Sequence, residues 1–220
     1  MRPCVLIPAF NEELHIAEVV GGVRRHVGKV IVVDDGSVDR TAEIAASSGA
    51  EVIRHEKNLG KGASLKTGMK KAFAEGFDPV IIVDADAQHD PAEIPLFLEA
   101  ARRGEADVVV GNRMGSTKGM PPVRYLTNLI TSFFISLLAG QRVPDSQCGY
   151  RLIRKNAFEK MRLKTARYET EGEMLIEAAR AGCRIDSIPV KTIYGIEKSA
   201  INPFRDTFRF VRLVIRNMRR

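Results

Sequence analysis

The run Asp84-Ala85-Asp86-Ala87-Gln88-His89 puts two carboxylates two residues apart, directly after a Val/Ile-rich segment of strand length. As a chain leaves a buried strand, both carboxylates can turn toward a common ligand. Their hard oxygens suit Mg2+ or Mn2+, and a diphosphate can complete the shell. An acidic turn after a strand has the same look, because Asp is a common turn former. The strand placement and the flanking Gln88 and His89 favour the ligand-binding reading.

A second acidic run, Asp34-Asp35-Gly36-Ser37-Val38-Asp39-Arg40-Thr41, follows an earlier apolar segment. A carboxylate there can accept hydrogen bonds from a base N–H or a ribose hydroxyl, and Asp35 is assigned that role. Asp34 and Asp39 are assigned to structure, since Ser37 and Asp39 also suit a turn and the N-cap of the next helix. Gly60-Lys61-Gly62 lacks the full phosphate-loop spacing and the Ser/Thr after Lys, so ATP hydrolysis is not supported. No GxGxxG opens a helix after the first strand, which argues against a dinucleotide dehydrogenase. The four histidines show no metal-ligand spacing; His15, His26 and His55 read as surface residues, and His89 alone sits by the acidic pair.

These residues need elements to position them. Segments 4–8, 30–33, 51–54, 80–83 and 108–110 read as strands apolar on both faces, as in a parallel sheet covered by helices. Helix-period segments near 12–26, 39–48, 62–75 and 91–103 lie between them, with Pro91 well placed at a helix start. The alternation predicts a doubly wound α/β fold with its chemistry at the carboxyl ends of the strands. Asn11-Glu12, Asp34-Asp35 and Asp84–Asp86 would converge there. In the second half, 124–138 is an amphipathic helix with Leu126, Ile130, Phe133 and Leu137 on one face and Thr127, Asn128, Thr131, Ser132 and Ser136 on the other. A helix near 171–181, a strand at 184–190 and a helix from Pro203 follow.

At 220 residues, 45% hydrophobic and 28% charged, the chain fits one domain with a substantial core. Cys4, Cys148 and Cys183 form neither a CxxC pair nor a disulfide framework, so a reducing compartment is expected. A signal peptide and a span of about 20 apolar residues are not evident, so a cytoplasmic location is expected. Of the net charge of +7, residues 201–220 supply +5, through six arginines against Asp206. The body is close to neutral and has no recognition motif, which argues against nucleic acid as a partner.

Taken together, the motifs resemble the family-2 glycosyltransferases of GT-A fold. The carriers are Pro8-Ala9-Phe10-Asn11-Glu12, Asp34-Asp35-Gly36-Ser37, Gly60-Lys61-Gly62, Asp84-Ala85-Asp86 with Gln88-His89, and Gly111-Asn112-Arg113. Asp145-Ser146-Gln147-Cys148-Gly149-Tyr150-Arg151 and Tyr194 with Glu197-Lys198-Ser199 look most like the polyprenyl-phosphate (dolichyl-phosphate) sugar transferases. The resemblance implies an α/β, Rossmann-like, mostly parallel sheet. It implies that Pro8, Phe10, Glu12 and Asp35 hold a nucleotide-sugar donor, with Ala85 and Arg113 beside it. Asp84, Asp86 and Gln88 would form the Mg2+ or Mn2+ site. Arg113, Arg124 and Lys198 would serve the donor diphosphate and the acceptor phosphate.

The implied reaction is an inverting displacement from a UDP- or GDP-hexose, with Asp86, Arg113 and Asp145 as the catalytic candidates. A lipid phosphate is largely dianionic at neutral pH and needs cationic clamps more than a base. A hydroxyl acceptor on a saccharide or glycolipid would need a carboxylate base, and Asp145 is the candidate, unless it is only a turn residue after Pro144.

The expected organisation is a catalytic domain, 1–202, with a basic C-terminal appendage, 203–220. There Phe204, Phe208, Val211, Ile215 and Met218 form an apolar stripe, and Arg205, Arg209, Arg212, Arg216 and Arg219 follow one residue later, about 100° around the helix. An interfacial helix on anionic lipid has this pattern, as does an ordinary helix docked on the core. The expected location is therefore peripheral, on the inner face of the membrane. The oligomeric state is left open, a homo-oligomer included.

Overall fold

The structure, a computed structural model, describes residues 1–115, 119–191, 193 and 203–218. The chain runs β1 (Cys4–Ala9), α1 (Ile16–Arg24), β2 (Val30–Asp34), α2 (Thr41–Ser47), β3 (Glu51–Arg54), α3 (Lys61–Ala74) and β4 (Val80–Ile82). Then come α4 (Ile94–Arg103), β5 (Val108–Asn112), α5 (Pro122–Ala139), β6 (Arg151–Ile153), α6 (Lys155–Lys160), α7 (Glu169–Arg180), β7 (Ile185–Pro189) and α8 (Pro203–Met218). One sheet takes all seven strands in the order β3-β2-β1-β4-β6-β5-β7. Every pairing is parallel except those of β6, which runs antiparallel to both β4 and β5. The α/β, mostly parallel sheet expected from the sequence is therefore present.

β1, β2, β4 and the Val108–Val110 part of β5 are buried residue after residue, which is why they carry unbroken Val, Ile and Leu. Each such side chain taken from water contributes about 1.5–3 kcal/mol. β3 departs from the expectation of two apolar faces. It is the sheet edge, half-buried, with Glu51 and Arg54 at its ends. α1 starts later than expected, because 12–15 forms a turn in which the His15 and Ile16 amides both donate to Glu12 O. The segment from Pro91 opens as a single tight turn, with Asp90 accepting from the Ala92 amide at 2.9 Å, before α4 begins.

Two elements were not foreseen: the short strand β6 and the short helix α6. β6 contains Arg151, whose side chain is only 1% exposed. Its guanidinium donates to Cys148 O (2.7 Å), Ser146 O (2.6 Å) and Glu171 O (2.6 Å), tying the strand to the loop before it and to α7. α5, α7 and α8 pack on one another.

Because β1, β2, β4, β5 and β7 are parallel, their carboxyl ends share one edge of the sheet. β6 runs the other way, so the segment that enters it, Cys148–Tyr150, arrives at that same edge.

Candidate functional site

At this edge the loops after β1 and β2 are laced together. Asn11, in the left-handed region at φ 56°, donates its amide to Ser37 Oγ (2.9 Å) and accepts from the Val38 amide (3.0 Å). Asn tolerates that backbone better than most residues. The Glu12 amide donates to Thr41 Oγ1 at 2.8 Å. Asp34 is fully buried, accepts from the Ser37 amide (3.0 Å) and pairs with Arg54 Nε (3.1 Å). Asp39 accepts from the Thr41 and Glu13 amides at 3.0 and 3.2 Å. Pro8 is buried within β1, Phe10 is exposed just past it, and Glu12 is half-buried. Beside them an open cleft of about 650 Å³ is lined by Gly36, Ser37, Val38, Arg54, His55 and Glu56.

Asp35, assigned to the donor from sequence, is 3% exposed and bonded within the protein. Its carboxylate is turned inward, accepting from the Leu59 amide (3.0 Å) and the Gly60 amide (2.7 Å) and meeting His55 Nδ1 at 2.7 Å. His55 Nε2 continues to Thr67 Oγ1 at 3.1 Å. Asp35 therefore shapes the 55–60 loop, and His55 is a half-buried link in it. Gly60 follows at φ 99°, a backbone that favours glycine, and places Lys61 at the first turn of α3.

Lys61 Nζ lies 2.6 Å from Asp84 Oδ1 and 3.0 Å from Glu171 Oε1. On the other side of the Asp84 carboxylate, His89 Nε2 stands 3.5 Å from Oδ2. Burial works against the charged carboxylate, but the Lys61 ammonium and His89 more than offset it, and the Asp84 carboxyl titrates below the usual range. For Lys61, burial lowers the pKa and the two carboxylates outweigh that, so the ammonium is held above its ordinary value. His89 is buried against Tyr150, ring centroids 5.0 Å apart, and Tyr150 stacks on Phe97 at 4.3 Å.

Asp86 is half-buried, with Oδ1 accepting from the Gln88 amide at 3.0 Å. The intervening Ala87 sits at φ 57°, a left-handed backbone that costs about 1–2 kcal/mol for a residue with a Cβ. It folds Asp86 and Gln88 into one tight turn. Among the described residues, no group of three or more His, Cys, Asp or Glu could hold a metal ion by itself. Asp84 and Glu171 nonetheless set two carboxylates against the one ammonium of Lys61, and Asp86 follows Asp84 by two residues on the same loop. That excess of hard, negative oxygen fits a divalent cation whose shell is finished by phosphate.

Across the edge, Arg113 follows β5 and is held by Asp145 through two parallel bonds, Nε to Oδ2 at 2.7 Å and Nη2 to Oδ1 at 2.8 Å. The Arg113 amide also donates to Oδ2 (3.0 Å), and Asn128 Nδ2 on α5 donates to Oδ1 (2.7 Å). Burial raises the Asp145 carboxyl, and the bonds and charge of Arg113 outweigh this and lower it. Asp145 is 0% exposed, with both carboxylate oxygens engaged by Arg113 and Asn128. It positions Arg113. Arg124 lies in the first turn of α5, four residues before Asn128 and so on the same helix face.

The edge thus gathers Asp84, Ala85, Asp86 and Gln88 after β4, Pro8, Phe10 and Glu12 at the end of β1, and Arg113 after β5. Lys198, with Tyr194 and Glu197, lies outside the described residues. Sequence reasoning missed the roles of Lys61, Glu171, His55 and Asn128. The GKG run was the visible signal for Lys61, but its partner carboxylates come from β4 and α7.

Residues 4–162 match the model of "Glycosyl transferase family 2". The chain is 36% identical over 213 residues to the UDP-N-acetylglucosamine–dolichyl-phosphate N-acetylglucosaminyltransferase of Methanococcus voltae, covering 86% of this chain and 85% of that one. It is 30% identical over 203 residues to the undecaprenyl-phosphate mannosyltransferase of Micrococcus luteus, covering 86% of this chain and 83% of the relative. Among solved structures it matches the glucosyl-3-phosphoglycerate synthase of Mycobacterium tuberculosis, crystallised with Mn2+, UDP and glucosyl-3-phosphoglycerate. The TM-score is 0.73 at 23% identity, covering 98% of this chain and 78% of the other, a likeness of fold alone. The chain belongs to the family-2 glycosyltransferases and has their GT-A fold.

Proposed function

We propose that the enzyme transfers a hexose, with inversion, from a UDP- or GDP-linked donor to a polyprenyl-phosphate carrier at the inner face of the membrane. The observation that carries this reading is the Arg113–Asp145 pair. The carboxylate best placed by sequence to serve as a base is spent on an arginine, and Arg124 adds a cation in the first turn of α5, the helix whose Asn128 holds that carboxylate. A phosphate acceptor, mostly dianionic at pH 7, supplies its own nucleophile and needs such cations. The names of the relatives that act on dolichyl and undecaprenyl phosphate support the same acceptor class.

Pro8, Phe10 and Glu12 would border the nucleotide over the 55–60 loop that Asp35 organises. Asp84, Asp86 and Gln88 would hold Mg2+ or Mn2+, the ions bound with UDP in the Mycobacterium synthase. When bound, the cation neutralises the departing diphosphate. Arg113 would orient phosphate oxygens, and Lys198 would assist Arg124 at the acceptor. Residues 1–202 would form the catalytic domain and 203–220 a basic appendage docked upon it.

The test incubates the purified chain with UDP- and GDP-hexoses, Mg2+ or Mn2+, and a short-chain polyprenyl phosphate. Glycosyl phosphate formation is expected. Transfer to a saccharide or glycolipid hydroxyl with none to the lipid phosphate would overturn the reading.

A further inference from the structure

Glu173, on α7, is 1% exposed, and its two carboxylate oxygens serve different parts of the molecule. Oε1 pairs with the Arg216 guanidinium on α8. Oε2 accepts from the Lys164 amide (2.9 Å), the Thr165 amide (2.8 Å) and Thr165 Oγ1 (2.7 Å). One buried carboxylate thus joins the C-terminal helix to the segment that precedes α7. α8 is fastened to α7 a second time, where Arg180 donates to Asn217 Oδ1 (2.5 Å) and Asn217 O (2.6 Å).

The 164–167 segment lies against the start of α3. Ala166 O accepts from the Ala63 amide at 2.9 Å, and Thr165 O accepts from Lys66 Nζ at 2.7 Å. Gly60 and Gly62 leave room for this approach. A Cβ on Gly60 would lie 2.6 Å from Ala166 O, and one on Gly62 would lie 1.9 Å from Thr170 Oγ1. Thr170 Oγ1 in turn meets Thr165 Oγ1 at 2.8 Å. Between the two glycines stands Lys61, whose ammonium spans Asp84 and Glu171. Glu171 and Glu173 leave α7 about 200° apart. The same helix therefore grips the Lys61 side chain with one carboxylate and, with the other, holds the segment that buttresses the Lys61 backbone.

We propose that Glu173 and Arg216 are positioning residues for the donor site. Docking of α8 fixes the 164–167 segment, that segment fixes the first turn of α3, and Lys61 is thereby held against Asp84. This rests on the reading of the edge beside β4 as the place of the donor diphosphate and its cation. Without Arg216, Oε1 of a buried carboxylate loses its counter-charge, and an uncompensated buried charge is drawn toward water. That movement loosens the bonds at Thr165. Because linkage is reciprocal, nucleotide bound at the edge must in turn tighten α8.

The experiment begins with hydrogen exchange on the full chain in chelator, without ligand. Arg216→Met should speed exchange of the 60–66 and 164–167 amides by about three- to thirtyfold, the range of coupling through such networks, and leave β1 and β2 as they are. Arg216→Lys should recover most of the protection. Arg212→Met removes the same charge from an exposed position on the same helix and should change nothing at 60–66. UDP and GDP are then titrated with Mn2+. Apparent affinity should weaken over the same range in Arg216→Met, and binding to wild type should slow exchange in α8. Unchanged exchange at 60–66 in Arg216→Met overturns the proposal. So does an equal effect of Arg212→Met, a speed-up spread uniformly through the chain, or nucleotide binding that leaves α8 exchange as it was. Wild type that binds neither nucleotide would instead sink the donor reading, and the ligand-free exchange then decides the coupling by itself.

Discussion

Lys61 stands between Asp84 and Glu171, its Nζ 2.6 Å from one carboxylate and 3.0 Å from the other. The ammonium is the counter-charge of the acidic edge in the metal-free chain. Lys61→Met leaves the buried Glu171 and the half-buried Asp84 without it, and removing one partner of a fully buried pair costs roughly 3–5 kcal/mol, an upper bound here. In chelator the variant should unfold at a clearly lower denaturant concentration than wild type. Mn2+ should restore more of its midpoint than it adds to wild type. Equal midpoints in chelator would show that Lys61 does not hold these carboxylates.

Asp86→Ala should leave the fold intact, because Asp86 is half-exposed and its described bond is within its own turn. Transfer should fall by at least about 10²-fold, the scale of losing several kcal/mol of charge stabilisation. Turnover in saturating Mn2+, with the unfolding midpoint as control, checks both halves. Near-wild-type turnover would remove Asp86 from the metal site.

Asp145→Asn should lower kcat by roughly 10- to 100-fold through a misplaced Arg113, the scale of a lost charge-assisted bond. The shape of the pH–rate profile should persist, since no base has been removed; loss of a limb would make Asp145 the base. Stability carries a second signature. The folded pKa of Asp145 is depressed, so its contribution is present above the unfolded value near ~3.9 and is lost as pH falls toward the folded value. Urea midpoints at about pH 6 and about pH 3 should drop further for wild type than for the variant.

Gly149→Ala tests how Asp84 is placed. A Cβ there would lie 2.3 Å from Asp84 Oδ2 and 2.8 Å from its Cγ. The carboxylate, held by Lys61, would have to shift. Nucleotide-dependent stabilisation in Mn2+ should weaken by about tenfold in apparent affinity, a cost near 1.4 kcal/mol. Unchanged affinity would mean that Asp84 has room to move.

What could be read in advance follows from how far apart the partners lie. β1, β2, β4 and β5 were legible because strands buried on both faces must be apolar throughout. β6 was not, because Arg151-Leu152-Ile153 hides a buried arginine, bonded to three carbonyls, that has no local mark of burial. Amphipathic spacing told which residues of α5 share a face, but not which face turns inward. That choice is made by Asp145 and Ser146, which reach Asn128 and Ser132 from beyond the helix end. The acidic pair Asp84/Asp86 announced itself within three residues. Asp145 looked like a turn residue or a base, because its partner Arg113 lies 32 positions away.

The strand order also dictates a schedule during synthesis. β1 to β4 can pair among themselves as soon as they leave the ribosome. Among the described residues, β5 (108–112) has as its neighbours only β6 at 151–153 and β7 at 185–189. Until those emerge, Val108-Val109-Val110 is an open strand edge, and the apolar run of α5 begins only at Pro122. Unpaired edges and exposed apolar surface are what nascent chains aggregate through. The half-made enzyme therefore has a window of vulnerability that opens with β5 and closes only when β7 adds to the sheet, and a pause in translation between them would prolong its dependence on chaperones.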